Sequence, residues 1–129
     1  MRKEVSHLSV GVAGEEAAVK FLREKGYRIR HRNWSYQKQE IDIVAEDKNF
    51  TVIVEVKSRR QSEYITERFG PPSAAITPAK ERYIRGAGAL YRAVEKAKKP
   101  LRFDVIEVLF SPEENGLVPV KIHHMQDAF

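Results

Sequence analysis

From Glu40 to Ser58 the chain sets two short runs rich in Val and Ile on either side of a polar tetrapeptide, with charges inside both runs. The first reads Ile41-Asp42-Ile43-Val44-Ala45 and the second Val52-Ile53-Val54-Glu55-Val56-Lys57. Runs of this length and branching predict buried strands. The intervening Glu46-Asp47-Lys48-Asn49 predicts a hairpin, with strands at Glu40 to Ala45 and Phe50 to Ser58. Charged groups are rarely buried unless paired or metal-bound. Residues two apart on a strand share a face, which puts Glu55 with Lys57 and opposite Val54 and Val56. A turn centred between Asp47 and Lys48 pairs Asp42 near residue 53, within a residue or two of Glu55. Two carboxylates brought together this way suit an oxygen-ligand cation such as magnesium. Lys57 beside them would position water or neutralise a phosphate. The same residues also fit a buried Glu55–Lys57 pair beside a solvent-facing Asp42.

The rest of the chain reads as one domain, 1–129, with helices around these strands. A first helix is expected from Ser9 to Lys25, ending at Gly26, a residue suited to the left-handed position after a helix. Its stripe is Leu8, Val12, Val19 and Leu22. Glu15 fills the gap in that stripe and faces the core, and Glu16 lies off it. Tyr27 to Trp34 reads as a strand, Gln37 to Gln39 as a polar turn, and Arg59 to Thr77, with Gly70-Pro71-Pro72, as a long loop. A second helix is expected with Thr77 as N-cap and Pro78 at its first position, running to about Lys98. Its apolar face is Ala79, Tyr83, Ala87, Leu90, Val94 and Ala97. Strands at Leu101 to Phe110 and Leu117 to His123 complete an α/β sandwich around a mixed sheet.

At 129 residues, 42% hydrophobic and 32% charged, the chain can fold around a real core. It contains no apolar run long enough for a membrane span, and its first residues lack the apolar segment of a signal peptide. Zero cysteines fit a reducing cytoplasmic setting. The net charge of +5 favours a polyanionic partner. Arg59 and Arg60 follow the Glu-x-Lys strand directly and are candidate phosphate contacts. Lys80 falls on the apolar side of the second helix, in the first turn, where the helix dipole disfavours a cation; it should therefore reach something anionic. Arg82, Arg85, Arg92, Lys96 and Lys99 cluster elsewhere on that helix, as a solvated face or a phosphate track. Trp34 and Tyr36 suit packing or base stacking. Asp104 is read as a structural hydrogen bonder, and the adjacent His123 and His124 as surface or packing residues.

Gly11-x-x-Gly14-Glu15, Glu40-Ile41-Asp42, Val54-Glu55-Val56-Lys57 and Ala75-x-x-x-x-Lys80 together resemble the YraN family of bacterial proteins. That family lies within the restriction-endonuclease-like PD-(D/E)XK nuclease superfamily. The resemblance runs from about Gly11 to Val108 and includes Arg102-Phe103-Asp104-Val105-Ile106. Archaeal Holliday junction resolvases are similar over the same elements. The resemblance implies a restriction-endonuclease-like α/β/α sandwich. It implies Asp42 and Glu55 as ligands of Mg or Mn, Lys57 as the catalytic lysine and Glu15 as the helix acid. DNA, branched or damaged, is the implied substrate, and a second copy of the chain is a candidate partner. The alternatives are a catalytically silent nucleic-acid-binding module and a structural partner of a DNA enzyme. Where the family has Gly before Glu-Ile-Asp, this chain has Gln39.

Overall fold

The structure, a computed structural model, describes residues 2–60, 76–111 and 117–129, and of 2–9 the backbone alone. Helix α1 spans Arg2–Glu24, and strands β1, β2 and β3 span Arg28–Tyr36, Gln39–Glu46 and Thr51–Arg60. Helix α2 spans Pro78–Glu95, and β4 and β5 span Leu101–Phe110 and Pro119–Met125. The five strands form one sheet in chain order, β1-β2-β3-β4-β5. Among the described strands only β3 and β4 run parallel. This is the mixed α/β architecture expected from the sequence.

Each helix covers one face. Ala18, Val19 and Leu22 of α1 pack with Ile43, Val52, Val54, Ile106, Val108 and Phe110. Ile84, Ala87 and Tyr91 of α2 pack with Val44, Ile53 and Phe103 on the other side. The alternation Val52, Ile53, Val54 thus feeds both cores, as a strand buried on two faces must.

Helix α1 begins seven residues before the expected Ser9, because Arg2 to Leu8 carries no breaker. It ends as expected. Gly26 has φ 97, its N–H reaches Arg23 O at 3.0 Å, and Tyr27 N–H reaches Leu22 O at 3.0 Å. This double closure satisfies the last carbonyls of the helix. The expected stripe is corrected at Val12, which is 60% exposed. Val19 and Leu22 of that stripe are buried, joined by Ala18.

Thr77 caps α2 by accepting from Lys80 N–H at 3.1 Å, with Pro78 following it. The helix stops before the expected Lys98, at Lys96 in a left-handed conformation (φ 59). Its buried face is Ile84, Ala87, Gly88 and Tyr91; of the expected face, Ala87 is buried and Leu90, Val94 and Ala97 pack partly buried against the same core, while Ala79 and Tyr83 are exposed. Gly88 explains the rotation: a Cβ there would lie 2.8 Å from the Phe103 ring, so the helix seats its backbone on that ring. The expected loop start at Arg59 is also corrected, since both Arg59 and Arg60 belong to β3, which is held by its parallel partner as far as Phe110. The Gly70-Pro71-Pro72 segment and Ala75 lie outside the described residues.

Candidate functional site

The β2–β3 ladder pairs Glu46 with Thr51 through Ile43 with Val54 and goes no further. Its centre falls one residue later than the sequence suggests. Asp47 Oδ1 accepts from the N–H of Asn49 and of Phe50, both at 2.8 Å, and closes the turn there. Residue 53 therefore faces Val44, and Asp42 stands one step beyond the Ile43–Val54 pair, towards Glu55. Where the ladder stops, Asp42 Oδ2 accepts from Val56 N–H at 2.8 Å. A side chain thus takes the place of a missing backbone acceptor.

Glu55 and Lys57 lie on the α2 side of the sheet, and Val54 and Val56 pack towards α1. Glu55 Oε2 is 3.9 Å from Lys57 Nζ and 3.5 Å from Lys80 Nζ. Lys80 is placed by its own N-cap contact, and its ammonium also sits 5.8 Å from the Tyr83 ring. The anionic group nearest the Lys80 ammonium among the described residues is therefore the Glu55 carboxylate. Burial raises the pKa of Asp42 above the ordinary carboxylate range, against the opposing bond from Val56 and the charges of Lys80 and Lys57. Burial raises Glu55 as well, with the Asp42 charge adding to it and the two lysines opposing.

Glu15 approaches from α1. Gly14 lets the helix come this close, because a Cβ there would collide with the Ser58 side chain of β3. Glu15 Oε1 accepts from Asn33 Nδ2 at 2.9 Å. Its carboxyl looks into a cleft of about 420 Å³ that it lines with Gly11, Val12, Asn33, Asp42, Val56 and Ser58. It faces this cleft, not the hydrophobic core. Burial raises its pKa, opposed by the Asn33 bond. Glu16 points away and pairs with Arg32 at 3.0 Å.

Among the described residues no three His, Cys, Asp or Glu side chains gather closely enough to hold an ion by themselves. Magnesium does not require that. It binds through one or two carboxylates and fills its octahedron with water. Asp42 and Glu55 are hard oxygen donors whose ionised forms burial disfavours, and Asp42 lines a cleft with room for water. This donor set fits a hydrated Mg or Mn ion.

The remaining candidates divide. Arg59 Nε lies 3.6 Å from Oε2 of the buried Glu107. Arg60 stands at the end of β3 opposite Phe110. Trp34 is buried, donates to Glu95 Oε2 at 3.0 Å and meets the Tyr91 ring edge-on, so its faces are taken by packing. Tyr36 is 42% exposed and stacks on Trp34. Arg85 of α2 covers the Phe103 and Phe129 rings and Lys99, beyond the helix, pairs with Glu46, leaving Arg82, Arg92 and Lys96 exposed. Asp104 is fully buried and accepts from Arg102, His124 and the N–H of Asp127. Gln39 is not a turn residue. Gln37 and Lys38 alone make the turn, at φ 51 and 70, and Gln39 opens β2 opposite Tyr36 with a buried Oε1 that has no hydrogen-bond partner among the described residues. Sequence reasoning missed Tyr83, whose hydroxyl accepts from Glu40 N–H at 3.0 Å and donates to Lys38 O at 3.3 Å. It also missed Asn33. An amide in mid-strand, where Asn is disfavoured, was the available signal.

Fold and site together define an α/β protein with acids and lysines gathered where two neighbouring strands of a mixed sheet part. The family described as Uncharacterised protein family UPF0102 matches residues 14–108, well over half of the chain. A UPF0102 protein of Phocaeicola vulgatus is 39% identical over 123 residues, covering 95% of this chain and 93% of the relative. One from Bacteroides thetaiotaomicron is 42% identical over 123 residues, at the same coverage of 95% and 93%. One from Symbiobacterium thermophilum is 44% identical over 121 residues, covering 93% and 95%. The chain belongs to the UPF0102 family, the family its motifs resemble.

Proposed function

We propose that this protein is a metal-dependent endonuclease that hydrolyses phosphodiester bonds in DNA, with branched or damaged DNA as the preferred class. The observation that carries this reading is the convergence of Asp42, Glu55, Lys57 and Lys80 where β2 and β3 part, with Glu15 facing the cleft that Asp42 lines. Asp42 and Glu55 would hold Mg or Mn, which supplies Lewis-acid polarisation of the phosphate and a more acidic bound water. The Lys57 ammonium offsets charge developing on the phosphate. Lys80 holds Glu55 and adds positive potential at the same face. The resemblance to PD-(D/E)XK nucleases supports these roles by motif and order. The test is nicking of linear, flapped and four-way DNA with Mg or Mn, comparing wild type with Asp42→Ala. Cleavage by the wild type alone is expected; cleavage of none of these by the wild type overturns the proposal.

One observation favours a second reading. Glu55 already has two ammonium partners, so the cluster holds balancing charge without a metal. A silent nucleic-acid-binding module would bind DNA equally with and without Mg and cut nothing.

A further inference from the structure

The edge strand β1 turns over between Arg32 and Trp34. In a regular strand these two residues would share a face. Here Arg32 reaches Glu16 of α1 at 3.0 Å, and Trp34 packs in the core under α2. The reversal occurs at Asn33, whose φ is 52. Asn tolerates that left-handed conformation better than most residues with a side chain. The partner strand does the same. Ile43 belongs to the core under α1 and Ile41 to the core under α2, with Asp42 between them. Asn33 and Asp42 therefore stand at one crossover. Both line the 420 Å³ cleft, and both line a second cleft of about 170 Å³ beside it.

The backbone conformation alone would be met by glycine. The Asn33 amide does more. Its Nδ2 donates to Glu15 Oε1 at 2.9 Å, and Arg32 Nη2 approaches the same oxygen at 3.8 Å. Among the described residues, Glu15 Oε2 receives no hydrogen bond or ion pair. One oxygen of the helix acid is gripped and the other is left to the cleft shared with Asp42.

We infer that Asn33 is a positioning residue, which turns the β1–β2 ribbon at Asp42 and orients Glu15 so that Oε2 is presented to a water in the cleft. This deepens the nuclease reading and rests on it. Asn33→Gly keeps the positive φ and deletes the amide, which separates the two roles. Mn binding by calorimetry and single-turnover nicking apply to wild type, Asn33→Gly, Glu15→Gln and the double variant, and the midpoint of the Glu15 carboxyl carbon, by NMR in metal-free protein, to wild type and Asn33→Gly. Groups that orient the residues of a metal site are generally worth about 10–100-fold in affinity or activity. Asn33→Gly should lose on that order with DNA affinity and thermal midpoint retained. The double variant should be no worse than Glu15→Gln, since Asn33 acts through Glu15. The Glu15 midpoint should rise in Asn33→Gly, because a bond favouring the ionised form is gone. Wild-type rate and Mn affinity in Asn33→Gly overturn the inference, as does additive loss in the double variant. A wild type that neither binds Mn nor cuts DNA overturns the nuclease reading instead. The Glu15 midpoint then decides Asn33 alone, an unchanged value counting against it.

Discussion

Lys57 and Lys80 reach the same oxygen of Glu55 from different supports, one on β3 and one on the first turn of α2. Lys57→Ala should remove transition-state stabilisation of roughly 2–4 kcal/mol with the thermal midpoint little changed. Single-turnover cleavage beside a melting curve checks this; a variant that cuts like the wild type makes Lys57 structural. Asp104 has the opposite character. Burial alone would raise its pKa, but bonds from His124, Arg102 and the Asp127 N–H outweigh that and hold it below the usual value. Its folded pKa is depressed, so its stabilisation is full above about pH 4 and is lost as pH falls through the folded value. Asp104→Asn leaves Arg102 only its longer contact with Asp47, at 3.9 Å, and should cost about 3–5 kcal/mol at neutral pH. It should also flatten the acid limb of stability against pH, both read by denaturant titration. An unchanged acid limb would show that other carboxylates set it.

At the scale of elements, the site depends on where α1 and α2 are allowed to sit. Gly14→Ala forces the helix away from Ser58 and should cost roughly 1–3 kcal/mol. It should also reduce cleavage, since Glu15 moves with the helix. Thermal denaturation and nicking of the same protein check both; a variant with the midpoint and rate of wild type means the helix can shift without consequence. Element order, the hairpin, the N-cap at Thr77 and the shared face of Glu55 and Lys57 were legible because period-two patterning and capping chemistry are local. The α2 stripe was less so. Gly88 carries no apolar signal, and its burial follows from the distant Phe103 ring. Arg59 and Arg60 read as loop because parallel pairing with β4 is invisible to local pattern. Asn33 was hidden for a similar reason: its amide matters only once α1 brings Glu15 to it.

Across the whole molecule, the +5 charge should make DNA binding salt-sensitive and tolerant of sequence. Each neutralised phosphate adds about −0.9 to the slope of log affinity against log salt. Arg82→Ala with Arg92→Ala should lower that slope by roughly two contacts if the exposed side of α2 tracks the backbone. A slope unchanged by this pair moves the substrate to the β1–β3 end. The strand order carries a different consequence. Because the sheet follows chain order, most strand pairs join neighbours and close short loops. The exception is β3 with β4, whose pairing spans α2 and must wait for the largest loop to close. Such non-local pairing slows folding. The barrier to folding should therefore lie at this seam, so that Ile106→Val slows refolding while trimming the β1–β2 ribbon chiefly speeds unfolding.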